Sequence, residues 1–499
     1  MNAQDIYILS PQISIVSVAI LTILLDLIVS KKRLVMGLAL VGLTVPLMLA
    51  IFLWLNLNES PLEITISSIS VLHGSFNLDK FALFFNFLVI GSVAVAIMGS
   101  DDYVRRSGIP AGEYFGLMLL AASGMMLLAS AGNLITIYIA LELTALPLVA
   151  LSALSLNSKS TEAGAKFFII SALSSAIMLY GMALIYGLSG SITLEGIAAG
   201  LVSNTSGVQS GSLGLVVALT LTIVGFGFKL SAVPFHMWVP DVYEGAPTPV
   251  VAFLSVASKA VAFALVLRFF YIGLYDVPIN WSVLFAVIAA ISMTIGNLLA
   301  IPQSNIKRLF GYSTIAHAGY IMVGIAAVSD GDGLSAGPSS LLFYLVAYAA
   351  ANLTALLAIN QISEGVGSDR IEDYSGVAYK SPMLAIVLTL SLMALIGVPP
   401  TGIFIAKIYV FTAAVNNGLM WLAIVGVVNS VISAYYYLRV VRVMFRGSNN
   451  QYVEKIISGM PVKVAILTSA AVTIYLGIGP SKLLGAAENA AKILGIPVH

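Results

Sequence analysis

Gly225-Phe-Gly-Phe-Lys229-Leu-Ser-Ala-Val-Pro234-Phe-His236 closes a long apolar run, and its lysine and proline decide how the whole chain is read. An ammonium at bilayer depth costs at least ~2.5–3.5 kcal/mol on insertion scales, so it faces a protein interior or a water file. Proline removes a backbone donor and clashes with the turn before it, which unwinds a helix. Unwound backbone at membrane depth is tolerated only where protein or a wet cavity satisfies it. A buried cation beside a helix break therefore predicts an ion-handling site inside a membrane bundle.

The composition agrees. Hydrophobic residues make up 59% of the 499, charged residues only 9%, and the mean hydropathy is +1.02. Such a chain is a polytopic, all-α membrane protein. A net charge of +1 gives no hint of nucleic acid, and the absence of cysteine excludes disulfides and thiolate-held metal or iron–sulfur centres on this chain. Apolar windows of roughly 20 residues recur near positions 20, 45, 90, 123, 144, 175, 222, 260, 291, 317, 350, 398, 429 and 470, which predicts about fourteen spans. The first, Ile13–Val29, is followed by Lys31, Lys32 and Arg33 and reads as a retained helix and not a cleaved leader. Polar gaps are short, the longest near 56–79, 189–212 and 362–381, so residues 1–499 form one integral-membrane domain.

Basic residues test the helix count, because they gather on the cytoplasmic side. Alternate loops and helix ends collect Lys31, Lys32, Arg33, Arg105, Arg106, Lys307, Arg308, Arg439, Arg442 and Arg446 among others. The opposite set holds only Lys80, Arg268, Lys482 and Lys492. This segregation supports fourteen spans and predicts both termini on the non-cytoplasmic side.

A second break is written as Gly397-Val-Pro399-Pro400-Thr-Gly402 inside the twelfth window. Interrupted helices at matching positions point to inverted repeats with an ion site near the midplane. Here they imply helices 1–3 in residues 1–112, a five-helix repeat of helices 4–8 in 113–275, a second of helices 9–13 in 276–446, and a last helix in 447–499. Intramembrane charge is confined to Lys229, Lys259, Lys407 and Glu142, with His317 on a further span. A desolvated ammonium releases its proton more readily than one in water, and a nearby carboxylate restores it. A movable Glu142–Lys229 pair is thus a proton switch, and Lys259, His317 and Lys407, spread over different helices, suit a relay and not one binding pocket.

Plainer roles fit other residues. Lys80 and Lys166 sit where a lysine snorkels, and Asp26 lies one turn before a basic cluster. His236, Asp241 and Glu244 suit capping or loop pairing as well as proton access. A neutral His317 could simply hydrogen-bond a carbonyl, and the many Met and aromatic residues suit packing.

The stretch Lys229-Leu-Ser-Ala-Val-Pro-Phe-His-Met-Trp-Val-Pro-Asp-Val-Tyr-Glu-Gly-Ala-Pro-Thr-Pro249 resembles the signature of the antiporter-like proton-channel subunits of respiratory complex I and of Mrp-type antiporters. Its Asp-Val-Tyr-Glu-Gly-Ala-Pro-Thr-Pro form is similar to the N type, subunit 2 of NADH:quinone oxidoreductase. Ile306-Lys-Arg-Leu-Phe-Gly-Tyr-Ser-Thr-Ile-Ala-His317-Ala-Gly-Tyr and the second break extend the likeness over essentially the whole chain.

The resemblance implies roles. Glu142 and Lys229 match the pair that gates proton uptake, Lys259 the relay lysine, Lys407 the terminal residue of the outward half-channel, and His317 a connecting polar position. It also implies neighbours of the K and M types, an energy-transducing inner or plasma membrane, and coupling to quinone reduction. Quinone, FMN and iron–sulfur clusters belong to other subunits, with no cofactor on this chain. The rival readings are a D-type subunit of an Mrp Na+/H+ antiporter, whose counterpart of Asp241–Pro247 usually lacks Tyr-Glu-Gly, and a stand-alone solute carrier with a compact substrate pocket.

Overall fold

A computed structural model of the chain describes residues 3–29, 31–57, 69–203, 213–275, 277, 280–328, 336–447 and 458–495. Among them, thirteen helices are long and apolar enough to cross a membrane. They are α1 (Ser10–Ile28), α2 (Lys32–Asn56), α3 (Lys80–Gly99), α4 (Ala111–Ala129), α5 (Leu134–Ala153), α6 (Ser158–Ser189), α7 (Leu213–Leu230), α9 (Thr248–Tyr271), α10 (Trp281–Ala300), α11 (Ile306–Ala326), α12 (Ala336–Val366), α15 (Met420–Met444) and α16 (Met460–Ile478). The twelfth window is two shorter apolar helices, α13 (Pro382–Ile396) and α14 (Gly402–Asn416), on either side of the second break. The short α8 (Trp238–Gly245) follows the first break, and α17 (Ser481–Ala491) follows the last span. Between α2 and α3 lies an antiparallel hairpin of β1 (Ile69–Val71) and β2 (Phe76–Leu78), with Ile69 opposite Leu78.

Polar caps fix where the helices begin. Asp79, Asn133, Asn157 and Asn305 each accept a backbone N–H from the first turn of α3, α5, α6 and α11, satisfying donors a helix leaves orphaned. Between helices, small residues set the spacing. At Gly296 of α10 an added Cβ would lie 2.6 Å from the backbone nitrogen of Ala316, so only glycine lets α10 and α11 approach this closely.

Burial is graded across the bundle. α9, α11 and α12 are each 94% buried over their apolar windows, whereas α1 and α2 are 33% buried. The three innermost helices are those that carry Lys259, His317 and the polar face of α12, so these groups lie where lipid does not reach.

The two breaks share one backbone design. At the first, the N–H of Ser231 bonds the carbonyl of Phe228 at 3.1 Å and the N–H of Ala232 bonds that of Gly227 at 2.8 Å. At the second, Gly397 N–H bonds Ala394 O at 2.8 Å and Val398 N–H bonds Met393 O at 3.1 Å. Both are Schellman caps, in which a residue in the left-handed region closes the helix. Ser231 has φ 62° and Gly397 φ 91°, and a proline, Pro234 or Pro400, follows three residues later.

Candidate functional site

Each break presents its cap to a buried lysine. Lys259 begins the regular part of α9 directly after a π-helical turn, Leu254–Ser258, a distortion frequent at functional sites. Its Nζ donates to Ser231 Oγ at 2.6 Å. Lys407, on α14, donates to the carbonyl of Ile396 at 2.8 Å and to Ser430 Oγ on α15 at 3.0 Å. That carbonyl belongs to the last turn of α13, where unpaired oxygens and the helix dipole favour a cation. The ammonium also lies 4.4 Å from the ring centre of Tyr320, a cation–π contact. Lys259 and Lys407 are 4% and 6% exposed.

Glu142 and Lys229 are arranged differently from the direct pair expected of them. Among the described residues no ion pair joins them; two serines one turn apart on α6 stand between. Ser175 donates to Glu142 Oε1 at 2.6 Å, and Lys229 donates to Ser171 Oγ at 3.1 Å. Pro147, five residues after Glu142 within α5, leaves the Leu143 carbonyl without its helical donor. Unlike Lys259 and Lys407, both groups are only partly buried, at the outer surface of the bundle.

His317 is 2% exposed on α11. Its Nδ1 lies 3.1 Å from the Tyr344 hydroxyl, and its Nε2 3.5 Å from that of Tyr437, which also bonds Ser313. One turn along α12 from Tyr344, Tyr348 donates to Thr314 at 3.1 Å, and a further turn on, Asn352 donates to Ser255 on α9 at 2.6 Å. Ser255 is one turn before Lys259. Polar side chains thus run in series from α9 through α12 and α11 toward Tyr320 and Lys407. A series of hydroxyls, an imidazole and amines can pass protons. Among the described residues no three His, Asp or Glu side chains are grouped to hold a metal ion.

Two further sequence readings change. Lys166 does not merely snorkel: it pairs with Glu162 and with Asp241 of α8, each at 2.8 Å. Asp241 also takes Arg308 of α11 at 2.7 Å, and Arg308 reaches Glu244 at 3.1 Å. Burial opposes the charge on Asp241, but hydrogen bonds from Lys166 and Arg308 outweigh it and hold the carboxyl below the usual aspartate range. Arg268, grouped above with the sparse basic set of loops and helix ends, does lie near the end of α9, but it is buried there, 1% exposed. Its Nη2 meets both oxygens of Asp79 at 2.7 Å, and its Nε the carbonyl of Ala129 at 2.7 Å. The partner lies 189 positions away in sequence, so no local pattern announces it.

The family described as NADH:quinone oxidoreductase/Mrp antiporter, TM, matches residues 131–433, the part that holds both breaks and the proposed relay residues. A NADH-quinone oxidoreductase subunit N from Dehalococcoides mccartyi is 42% identical, covering 97% of this chain and 99% of the relative. The chain belongs to the NADH-quinone oxidoreductase subunit N family. The family extends to a NAD(P)H-quinone oxidoreductase subunit 2 from Gloeothece citriformis, 39% identical over 95% of this chain and 92% of the relative. Among solved structures, a chain of respiratory complex I from Thermus thermophilus superimposes with a TM-score of 0.77 at 30% identity, covering 96% of this chain and 99% of that one. A chain of the Mrp complex from Dietzia has a TM-score of 0.84 at 21% identity over 100% and 98% of the two chains, a likeness of fold alone.

Within this subunit N fold, the residues that sequence reasoning passed over are hydroxyl-bearing: Ser171, Ser175, Ser231, Tyr344, Tyr348 and Ser430. Only Ser231 carried a usable signal, standing two residues after Lys229 and three before Pro234, at the point where the proline requires the helix to end.

Proposed function

We propose that this chain is a proton-translocating membrane-arm subunit of a complex I-type NADH, or related donor, quinone oxidoreductase. The observation that carries this reading is the pair of broken-helix caps, each turned toward a buried lysine, with a row of polar side chains around His317 between them. Glu142 and Lys229 form the loading end, with protons exchanged through Ser175 and Ser171. Lys259, His317 and Lys407 carry them onward. Each buried lysine has only uncharged partners, so a charge displaced at one site changes what the next can hold. Driving one charge against 100 mV needs ~2.3 kcal/mol, within reach of such a redistribution.

Glu142 lies midway along α5 and Lys229 in the last turn of α7, both partly exposed. This favours a neighbouring subunit over that face, the K type in family terms, with the M type on the Lys407 side. The translocase then works as one member of an assembly whose quinone, FMN and iron–sulfur clusters are held elsewhere, in an energy-transducing membrane with both termini outside the cytoplasm. The paired breaks support two inverted units, residues 113–275 and 276–446, between helices 1–3 and the last helix.

The test is to isolate the chain with its neighbours from native membranes and reconstitute it in vesicles. Quinone reduction with proton uptake independent of Na+ is expected. Na+/H+ exchange without any quinone reductase activity would replace this reading with the Mrp one.

A further inference from the structure

An apolar groove of about 530 Å³ runs between α2, α3, α12, α16 and α17, and none of its lining residues belongs to the polar seam. Its walls are Trp54, Phe84 and Phe87, and its floor is made of small residues such as Gly91, Ala350 and Ser469. A Cβ at Gly91 would meet nothing within 4 Å, so the missing side chain is itself part of the opening. From Phe84 to Val95 the lining follows one face of α3 for about 16 Å at the helical rise, close to half of a hydrocarbon core of about 30 Å. The groove is therefore one leaflet deep. Its apolar lining and one-leaflet length suit an extended alkyl chain.

Two lysines flank the lining in sequence. Lys80 stands one turn before Phe84 on the same face of α3, and Lys482 one turn before Ala486 on α17. Lys482 is exposed and Lys80 partly so, and neither makes an ion pair among the described residues. Basic residues are scarce at this end of the bundle: besides these two there are Arg268, which is engaged by Asp79, and Lys492, which bonds Asn489. Two of the three basic residues of this end that make no ion pair among the described residues thus stand one turn beyond the groove's lining.

We propose that this groove is a binding site for an anionic phospholipid, one acyl chain lying along Phe84–Val95 and the phosphate held by Lys80 and Lys482. The assembled complex is reconstituted in nanodiscs containing phosphatidylglycerol and phosphatidylcholine, imaged by cryo-electron microscopy, and its retained lipid counted after detergent exchange. Acyl density in the groove with a phosphate at the two lysines is expected. Gly91→Phe should lose one retained lipid per complex, and Lys80→Gln with Lys482→Gln should lower the preference for phosphatidylglycerol over phosphatidylcholine roughly tenfold or more. An empty groove, a protein segment lying in it, or lipid retention indifferent to the lysine pair would overturn the proposal.

Discussion

Ser231 holds a left-handed backbone at the end of α7, a conformation that glycine adopts at no steric cost and other residues seldom do. The equivalent cap residue, Gly397, is a glycine, so this backbone does not itself require serine, and the Ser231 hydroxyl receives the Lys259 ammonium. Ser231→Gly should keep the break, since glycine adopts this backbone freely. It removes a hydrogen bond to a charged group, worth about 1.5–3 kcal/mol, and so should slow proton translocation by about tenfold or more. Pumping measured per quinone reduced checks this, and an unchanged ratio would mean that the contact is incidental. Arg268 makes the opposite case of a charge kept for stability. Asp79→Asn leaves a buried guanidinium without its counter-ion, with an expected loss of about 3–5 kcal/mol; a thermal unfolding scan of the purified assembly should register it. The lysines were legible in sequence because an ammonium inside an apolar run is costly wherever it stands. Serine and tyrosine hydroxyls were not, since either residue is as readily used for packing or for bonding its own helix backbone.

α8 is the element whose position links the first break to the rest of the bundle. Only eight residues long, it is fastened by Asp241 to Lys166 on α6 and to Arg308 on α11. Asp241→Asn should loosen α8 and lower the thermal stability of the complex at neutral pH. The sign follows from the depressed carboxyl: its contribution is complete above the ordinary value of 3.8 and is lost as pH falls through the lower folded value. Stability of wild type and variant, measured across pH, should therefore differ by a constant amount at roughly pH 5–8 and converge below that range. A difference that shrinks already within that window would point to another group. Proline and glycine marked both breaks in the sequence, but their shared geometry did not show there. Ser231 and Gly397 differ chemically and become equivalent only through the two hydrogen bonds that each cap makes.

Across the whole molecule, the fourteen apolar windows and the segregation of basic residues were readable because bilayer thickness and loop charge act on every span alike. What the sequence could not carry is which spans are central. α9, α11 and α12 owe that place to contacts among residues far apart in the chain, and their burial turns separate titratable groups into a seam. That this seam conducts is tested most directly by proton pumping in vesicles carrying Lys229→Ala in the assembled complex, with quinone reduction followed in parallel. A fall in both activities with assembly intact is the result predicted; undiminished pumping would contradict the relay and leave this chain a scaffold.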